Sequence, residues 1–308
     1  MKRYLVVAIA AVLGTVGLSQ SMPDEYGGVL KALGKTGDFK SNVLKVNIPR
    51  SDLKVTIDGA ATPTPFGFGG WLAMTKGGGG ADVMMGDLVL LEDEVNPVMS
   101  ALLENGLEVT ALHNHFFFES PRIFYMHLHG HGKAADLARQ VKPAIDIIGR
   151  GESKHRGTVT GGASSAITAG AIDSKAIDGI VGHTGEQNGP VYKITIGRDD
   201  LQIKEMGALI NARMGLNTWA AFFGSDAHAE IAGDVAMLAR EVTPVLKALR
   251  AHGLNVVAIH NHMTGGDPAI YFLHYWGTGP AARLATGFKA ALNELGKGGG
   301  VSPNNRTE

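Results

Sequence analysis

Residues 94–132 read EVNPVMSALLENGLEVTALHNHFFFESPRIFYMHLHGHG, and residues 241–279 read EVTPVLKALRAHGLNVVAIHNHMTGGDPAIYFLHYWGTG. Set 147 positions apart, the two stretches align without a gap, and 18 of the 39 positions are identical. The match continues upstream after a one-residue shift. Gly34-Lys35-Thr36-Gly37 faces Gly182-His183-Thr184-Gly185, and Trp71-Leu72-Ala73 faces Trp219-Ala220-Ala221. A repeat of about 148 residues is far longer than a solenoid unit of a few tens of residues, so it reads as a duplicated domain. Two homologous halves of this kind are expected to pack with pseudo-twofold symmetry.

Each half carries the same order of signals. A short helix (25–33; 175–181) leads into segments with period-two alternation, 43–48 and 53–57 in the first half, 191–196 and 201–203 in the second. Two more strands follow in the first half, around Trp71 and Leu88. A helix then opens at Glu94-Val95-Asn96-Pro97, with acid and proline in the first turn, and stops at Asn105-Gly106, where glycine accepts a left-handed cap. Two strands (108–117 and 122–129) and a closing helix (134–148) complete the unit. The expectation is an α+β fold, a tandem duplication of a β-β-β-β-α-β-β-α unit.

The expected organisation is a signal peptide over 1–21, a first unit over 22–149, a Gly/Ser/Thr-rich linker over 150–173, a second unit over 174–296 and a tail over 297–308. The signal peptide follows from Lys2 and Arg3 ahead of an apolar run from Tyr4 to about Val16. That run is shorter than the roughly 20 residues of a bilayer span, so no span is expected once it is removed. A periplasmic or extracellular location follows. Without Lys2 and Arg3, 26 basic residues stand against 29 acidic ones, a net charge of about −3 that does not suggest nucleic acid. There is no cysteine, so any metal site must use His, Asp or Glu.

The chemistry concentrates in histidine. His113-Asn114-His115 and His127-Leu128-His129-Gly130-His131 put five of the twelve histidines within nineteen positions. Strand alternation directs His113 and His115 to one face, and His127, His129 and His131 to one face. The short connection favours an antiparallel hairpin. A register pairing His115 with His127, and hence His113 with His129, gathers four imidazoles around one ion. A one-residue slip would scatter them. The second half repeats three of the five as His260, His262 and His274, with Trp276 and Thr278 in place of His129 and His131. This asymmetry predicts that function concentrates in the first half, that His127→Ala is the damaging substitution, and that Trp276 packs against His260.

Glu94 and Glu241 begin equivalent helices, where a carboxylate stabilises the helix N-terminus; support of a metal is the lesser expectation. Glu119 is a candidate general base beside a metal, confined to the first half because its counterpart is Gly266. The stretch from Gly28 to Thr36 mimics a phosphate loop but has five residues between its glycines where four are needed. It is rejected.

The run Glu94-Val95-Asn96-Pro97, then Ala111-Leu112-His113-Asn114-His115, Ser120-Pro121-Arg122 and His127-Leu128-His129-Gly130-His131-Gly132 resembles the bacterial LppY/LpqO family, also called domain of unknown function 1259. The resemblance extends over both halves. It implies an envelope-associated protein and assigns no reaction and no catalytic residue. Members are regarded as lipoproteins, and this chain departs from that pattern in lacking the cysteine that would be acylated.

Two function classes follow from these observations. The first is an exported protein that binds a divalent transition metal, zinc foremost, through the first-half hairpin and acts as a metal-dependent hydrolase on an envelope substrate or small-molecule ligand. The second is a non-enzymatic envelope binding or assembly module, prone to self-association, in which the histidines are structural.

Overall fold

The computed structural model describes residues 21–150, 167 and 169–297. The expected signal segment, most of the linker and nearly all of the tail lie outside these residues. The first unit runs α1 (Asp24–Leu33), β1 (Asp38–Lys40), β2 (Val43–Pro49), β3 (Val55–Ile57), β4 (Ala60–Thr62), β5 (Gly69–Lys76), β6 (Asp82–Leu91), α2 (Glu92–Glu104), β7 (Glu108–His113), β8 (Glu119–Ser120), β9 (Ile123–Gly132) and α3 (Ala134–Ile147). The second runs α4 (Ser174–Val181), β10 (Glu186–Asn188), β11 (Val191–Gly197), β12 (Ile203–Glu205), β13 (Ala208–Ile210), β14 (Asn217–Gly224), β15 (Ala229–Leu238), α5 (Ala239–Ala251), β16 (Asn255–His260), β17 (Ile270–Gly279) and α6 (Ala281–Leu292). The α+β duplication holds. The helices expected at 25–33 and 175–181 open the units, but the strand order differs from expectation, because six strands, not four, precede the middle helix. The unforeseen strands β1, β4, β10 and β13 have three residues each, too few to register as a period-two pattern.

Each unit folds around a six-stranded antiparallel sheet, ordered β1-β2-β5-β6-β9-β7 in the first and β10-β11-β14-β15-β17-β16 in the second. One face of each sheet is covered by its own helices. In the first unit Leu72, Leu88, Leu90, Met126 and Leu128 pack with Val98, Leu102, Leu137 and Val141. In the second, Phe222, Val235, Met237 and Tyr275 pack with Val245, Leu249, Leu284 and Phe288.

The opposite faces meet each other. Phe66, Val89 and Tyr125 share one apolar cluster with Ala221, Phe223 and Trp276, and Val83 and Met85 share another with Ala236 and Phe272. The molecule therefore layers helices, sheet, sheet and helices. That is why β6 and β15 are buried at all ten positions, lacking the polar side expected of a one-sided sheet.

Two buried ion pairs repeat the symmetry. Arg50 Nη1 donates to Glu94 Oε2 at 2.6 Å, Arg50 Nε donates to Asp52 Oδ1 at 2.9 Å, and Glu94 also accepts the N–H groups of Leu91 and Gly149. Arg198 Nη1 donates to Glu241 Oε2 at 2.8 Å, Arg198 Nε donates to Asp200 Oδ1 at 2.8 Å, and Glu241 accepts from Leu238 and Gly296. Each pair ties the end of a sheet strand to the start of the middle helix.

Candidate metal centre

Strands β7 and β9 form the expected antiparallel hairpin, but in another register. Ala111 faces His127, His113 faces Tyr125 and Glu108 faces His129, with a bulge between Val109 and Ala111. The expected pairing of His115 with His127 is absent because β7 ends at His113. Beyond it the chain leaves the ladder: Asn114 Nδ2 donates to Ile123 O at 2.6 Å, and Glu119 and Ser120 pair with β3 instead. The second hairpin is built alike, with Ala258 facing His274 and His260 facing Phe272. Trp276 faces Asn255 and packs in the apolar cluster between the halves, so the expected contact between Trp276 and His260 is replaced.

Both hairpins turn their histidines toward the boundary between the sheets, and the six meet there. The ring centroids of His113 and His260 lie 3.7 Å apart, on the pseudo-twofold axis. The symmetry-related pairs His115–His274 and His127–His262 lie at 3.6 and 4.0 Å. Outside them Tyr125 stacks on His115 at 3.2 Å and Phe272 on His262 at 3.4 Å. Potential ligand atoms lie within 4.8 Å of one another in two groups, His113 with His127 and His260, and His113 with His115 and His274. Each group draws on both halves.

Burial disfavours the imidazolium form. It holds His113 down to about 4. Burial, reinforced by neighbouring imidazoles, holds His115, His127, His260, His262 and His274 well below the usual histidine range. All six are therefore neutral at pH 7 and offer lone pairs. Nine of their ring nitrogens are buried with no hydrogen-bond partner among the described residues.

The remaining predicted residues lie elsewhere. His129 is buried on the same sheet face, opposite Met85 and Glu108, and His131 is exposed at the end of β9. Neither makes ring contact with the six. Glu119 accepts the Ile123 N–H at 3.0 Å, and burial pushes its carboxyl up to about 7. Glu94 and Glu241 are held by Arg50 and Arg198, so both carboxylates are taken up as helix-start anchors.

Sequence reasoning missed the groups that surround the centre. Asp87 faces His127, and Asp234 faces His274. Asp234 Oδ2 lies 3.9 Å from His262 Nε2 and 4.0 Å from His274 Nε2. Burial pushes Asp87 up to about 8 and Asp234 well above the carboxylate range. A cavity of about 640 Å³ adjoins them, lined also by His115, His262, His274, Lys45, Lys193, Trp71, Trp219 and Arg213. A signal for these residues was present: Asp87 recurs as Asp234, Lys45 as Lys193 and Trp71 as Trp219 at the repeat spacing. Charged residues retained within apolar strands of both copies mark a place where the fold needs charge.

A family model described as Domain of Unknown Function (DUF1259) matches residues 28–147 and again residues 175–294. No curated protein matches the chain. Among solved structures, EtuB from Clostridium kluyveri is 9% identical over 84% of this chain and 89% of its own, with a TM-score of 0.21. The trimeric bacterial microcompartment shell protein PduB is 13% identical over 84% and 91%, with a TM-score of 0.19.

Proposed function

We propose a function for a chain that belongs to the Domain of Unknown Function (DUF1259) family: its two halves jointly hold one divalent transition metal ion, zinc foremost, among His113, His115, His127, His260, His262 and His274. The observation that carries this reading is the set of nine partnerless ring nitrogens on six neutral, buried imidazoles. Leaving such a group unsatisfied costs about 1–3 kcal/mol, and transition metals accept these lone pairs. The reaction class is hydrolysis, with the protein exported and acting on an envelope substrate. The ion would supply Lewis-acid polarisation of a substrate oxygen. Asp87 and Asp234, beside the same cavity, are the residues able to hold or take a proton.

The test is metal content by mass spectrometry after purification without a nickel column, followed by zinc, copper and iron titration of the stripped protein. One ion per chain and a raised melting temperature are expected. Protein that stays metal-free and binds none of the three at micromolar levels would sink the reading.

A second reading rests on the ring stacking at 3.2 to 4.0 Å: the histidines pack the boundary of a non-enzymatic envelope module. It expects His113→Ala to lower the stability of the metal-free protein by roughly 1–3 kcal/mol, with no metal-dependent difference.

A further inference from the structure

We propose that the cavity between Lys45 and Lys193 binds a small organic oxyanion, a molecule carrying a phosphate or carboxylate group. As a substrate assignment this rests on the hydrolase reading above; as a binding site it stands on the lysines alone.

Lys45 projects from β2 and Lys193 from β11, the equivalent strands of the two halves, and both line the one cavity. Lys45 Nζ lies 4.5 Å above the Trp71 ring and Lys193 Nζ 4.1 Å above the Trp219 ring. An indole face orients an ammonium group but carries no net charge to neutralise it. Among the described residues neither lysine forms a hydrogen bond or an ion pair; the carboxylates of Asp87 and Asp234 stay beyond the 4.0 Å limit of one. Two half-buried ammonium groups, drawn to Asp38, Asp87 and Asp234 only at a distance and in direct ion pairing with none of them, are thus held by the duplication on one cavity.

Arg213 adds a third cation. Its Nη2 is taken by Asp38 at 2.6 Å, while its Nε is buried without a partner. An anion placed between the lysines relieves the repulsion between them and supplies acceptors that both lack. Asn47, Thr195 and Asn217 line the same space and offer neutral polar contacts. At about 640 Å³ the cavity falls in the range of about 300–1,000 Å³ typical of small-molecule sites. It exceeds the needs of a bare ion, hence the organic body.

The test is calorimetric titration of the full chain, stripped of metal, with inorganic phosphate and with citrate, using glycerol as the neutral control. Both anions should bind one per chain at millimolar concentration or below, and glycerol should not. Lys45→Met and Lys193→Met should each weaken binding about ten-fold, as expected for loss of one charge-assisted hydrogen bond. The double variant should show no binding, while Lys142→Ala, a half-buried lysine on α3 that does not line the cavity, should match the parent.

Absence of binding of both anions to the parent overturns the proposal. So does unchanged affinity in the single variants, which decide the matter if the double variant does not fold. Zinc titration of the stripped parent chain separates the two readings. Zinc binding with no anion binding by the parent defeats this proposal alone, whereas anion binding without zinc binding defeats the metal reading alone.

Discussion

At the residue scale, His113 and His260 occupy one pseudo-symmetric position twice and stack on each other across the axis. The expectation that the first half carries the function, drawn from the missing partners of His129 and His131, does not match this arrangement. His127 and His274 are also equivalent, and each contacts a histidine of the other half. His127→Ala and His274→Ala should therefore reduce zinc affinity by similar factors in titrations of the stripped protein. A ten-fold or greater gap between them would restore the one-sided reading. A second residue-scale prediction concerns Glu230, which faces the boundary where the first half has Val83. It is 1% exposed, its Oε2 lacks a partner, and burial with the nearby Asp58 charge pushes its carboxyl up to about 8 from 4.5. The native state thus holds a proton that the unfolded chain releases near 4.5, and stability falls as pH rises from there through about 8. Glu230→Gln should leave the melting temperature nearly unchanged at pH 4.5 and raise it at pH 9, by the equivalent of a few kcal/mol. Equal shifts at both pH values would contradict this.

At the element scale, the hairpins owe their histidine geometry to where β7 and β16 stop. Both end on the first histidine of His-Asn-His, and the asparagine then reaches across, Asn114 to Ile123 O and Asn261 to Ile270 O at 2.9 Å. The third residue is thereby released from the ladder to meet the other half. The middle helices are anchored by Arg50–Glu94 and Arg198–Glu241, whose members are at most 5% exposed. Removing the glutamate leaves a buried guanidinium held only by its flanking aspartate, Asp52 or Asp200, and strips two backbone N–H groups of their acceptor. Glu94→Ala and Glu241→Ala should each cost roughly 3–5 kcal/mol in denaturant unfolding. A loss under 1 kcal/mol from either would mean that water replaces the carboxylate. Helix positions were readable from proline, glycine and periodicity to within about two residues, the widest miss being α2, which begins at Glu92 and not Glu94. The hairpin register was not readable, because in both halves it is shifted by a bulge, between Val109 and Ala111 and between Val256 and Ala258, that side-chain alternation does not reveal.

At the scale of the whole molecule, the histidine cluster exists only where the two sheets are pressed together. Phe66 of the first half and Phe223 of the second hold that contact, with ring centroids 6.3 Å apart and exposures of 0% and 4%. Phe223→Ala removes a large side chain from this boundary and should cost about 3–5 kcal/mol. It should also weaken zinc binding, although Phe223 touches no histidine ring, because the two triads cross the boundary. Intact zinc affinity alongside a lowered melting temperature would show that the histidines hold their positions without the apolar contact.

The duplication, the α+β class, the helix positions and the histidines worth attention were all legible in the order of residues, because these are local or self-comparing properties. Periodicity is written in neighbouring residues, and a repeat is found by matching the chain against itself. That six histidines gather in one cluster, that His129 and His131 stand apart, and that Glu94 and Glu241 serve arginines became visible only in the folded molecule. The cause is physical. A strand pattern states which face a side chain takes, but not what that face meets. Here both sheets bury apolar side chains on both faces, so each half satisfies its outer face with its own helices and its inner face only with the other half.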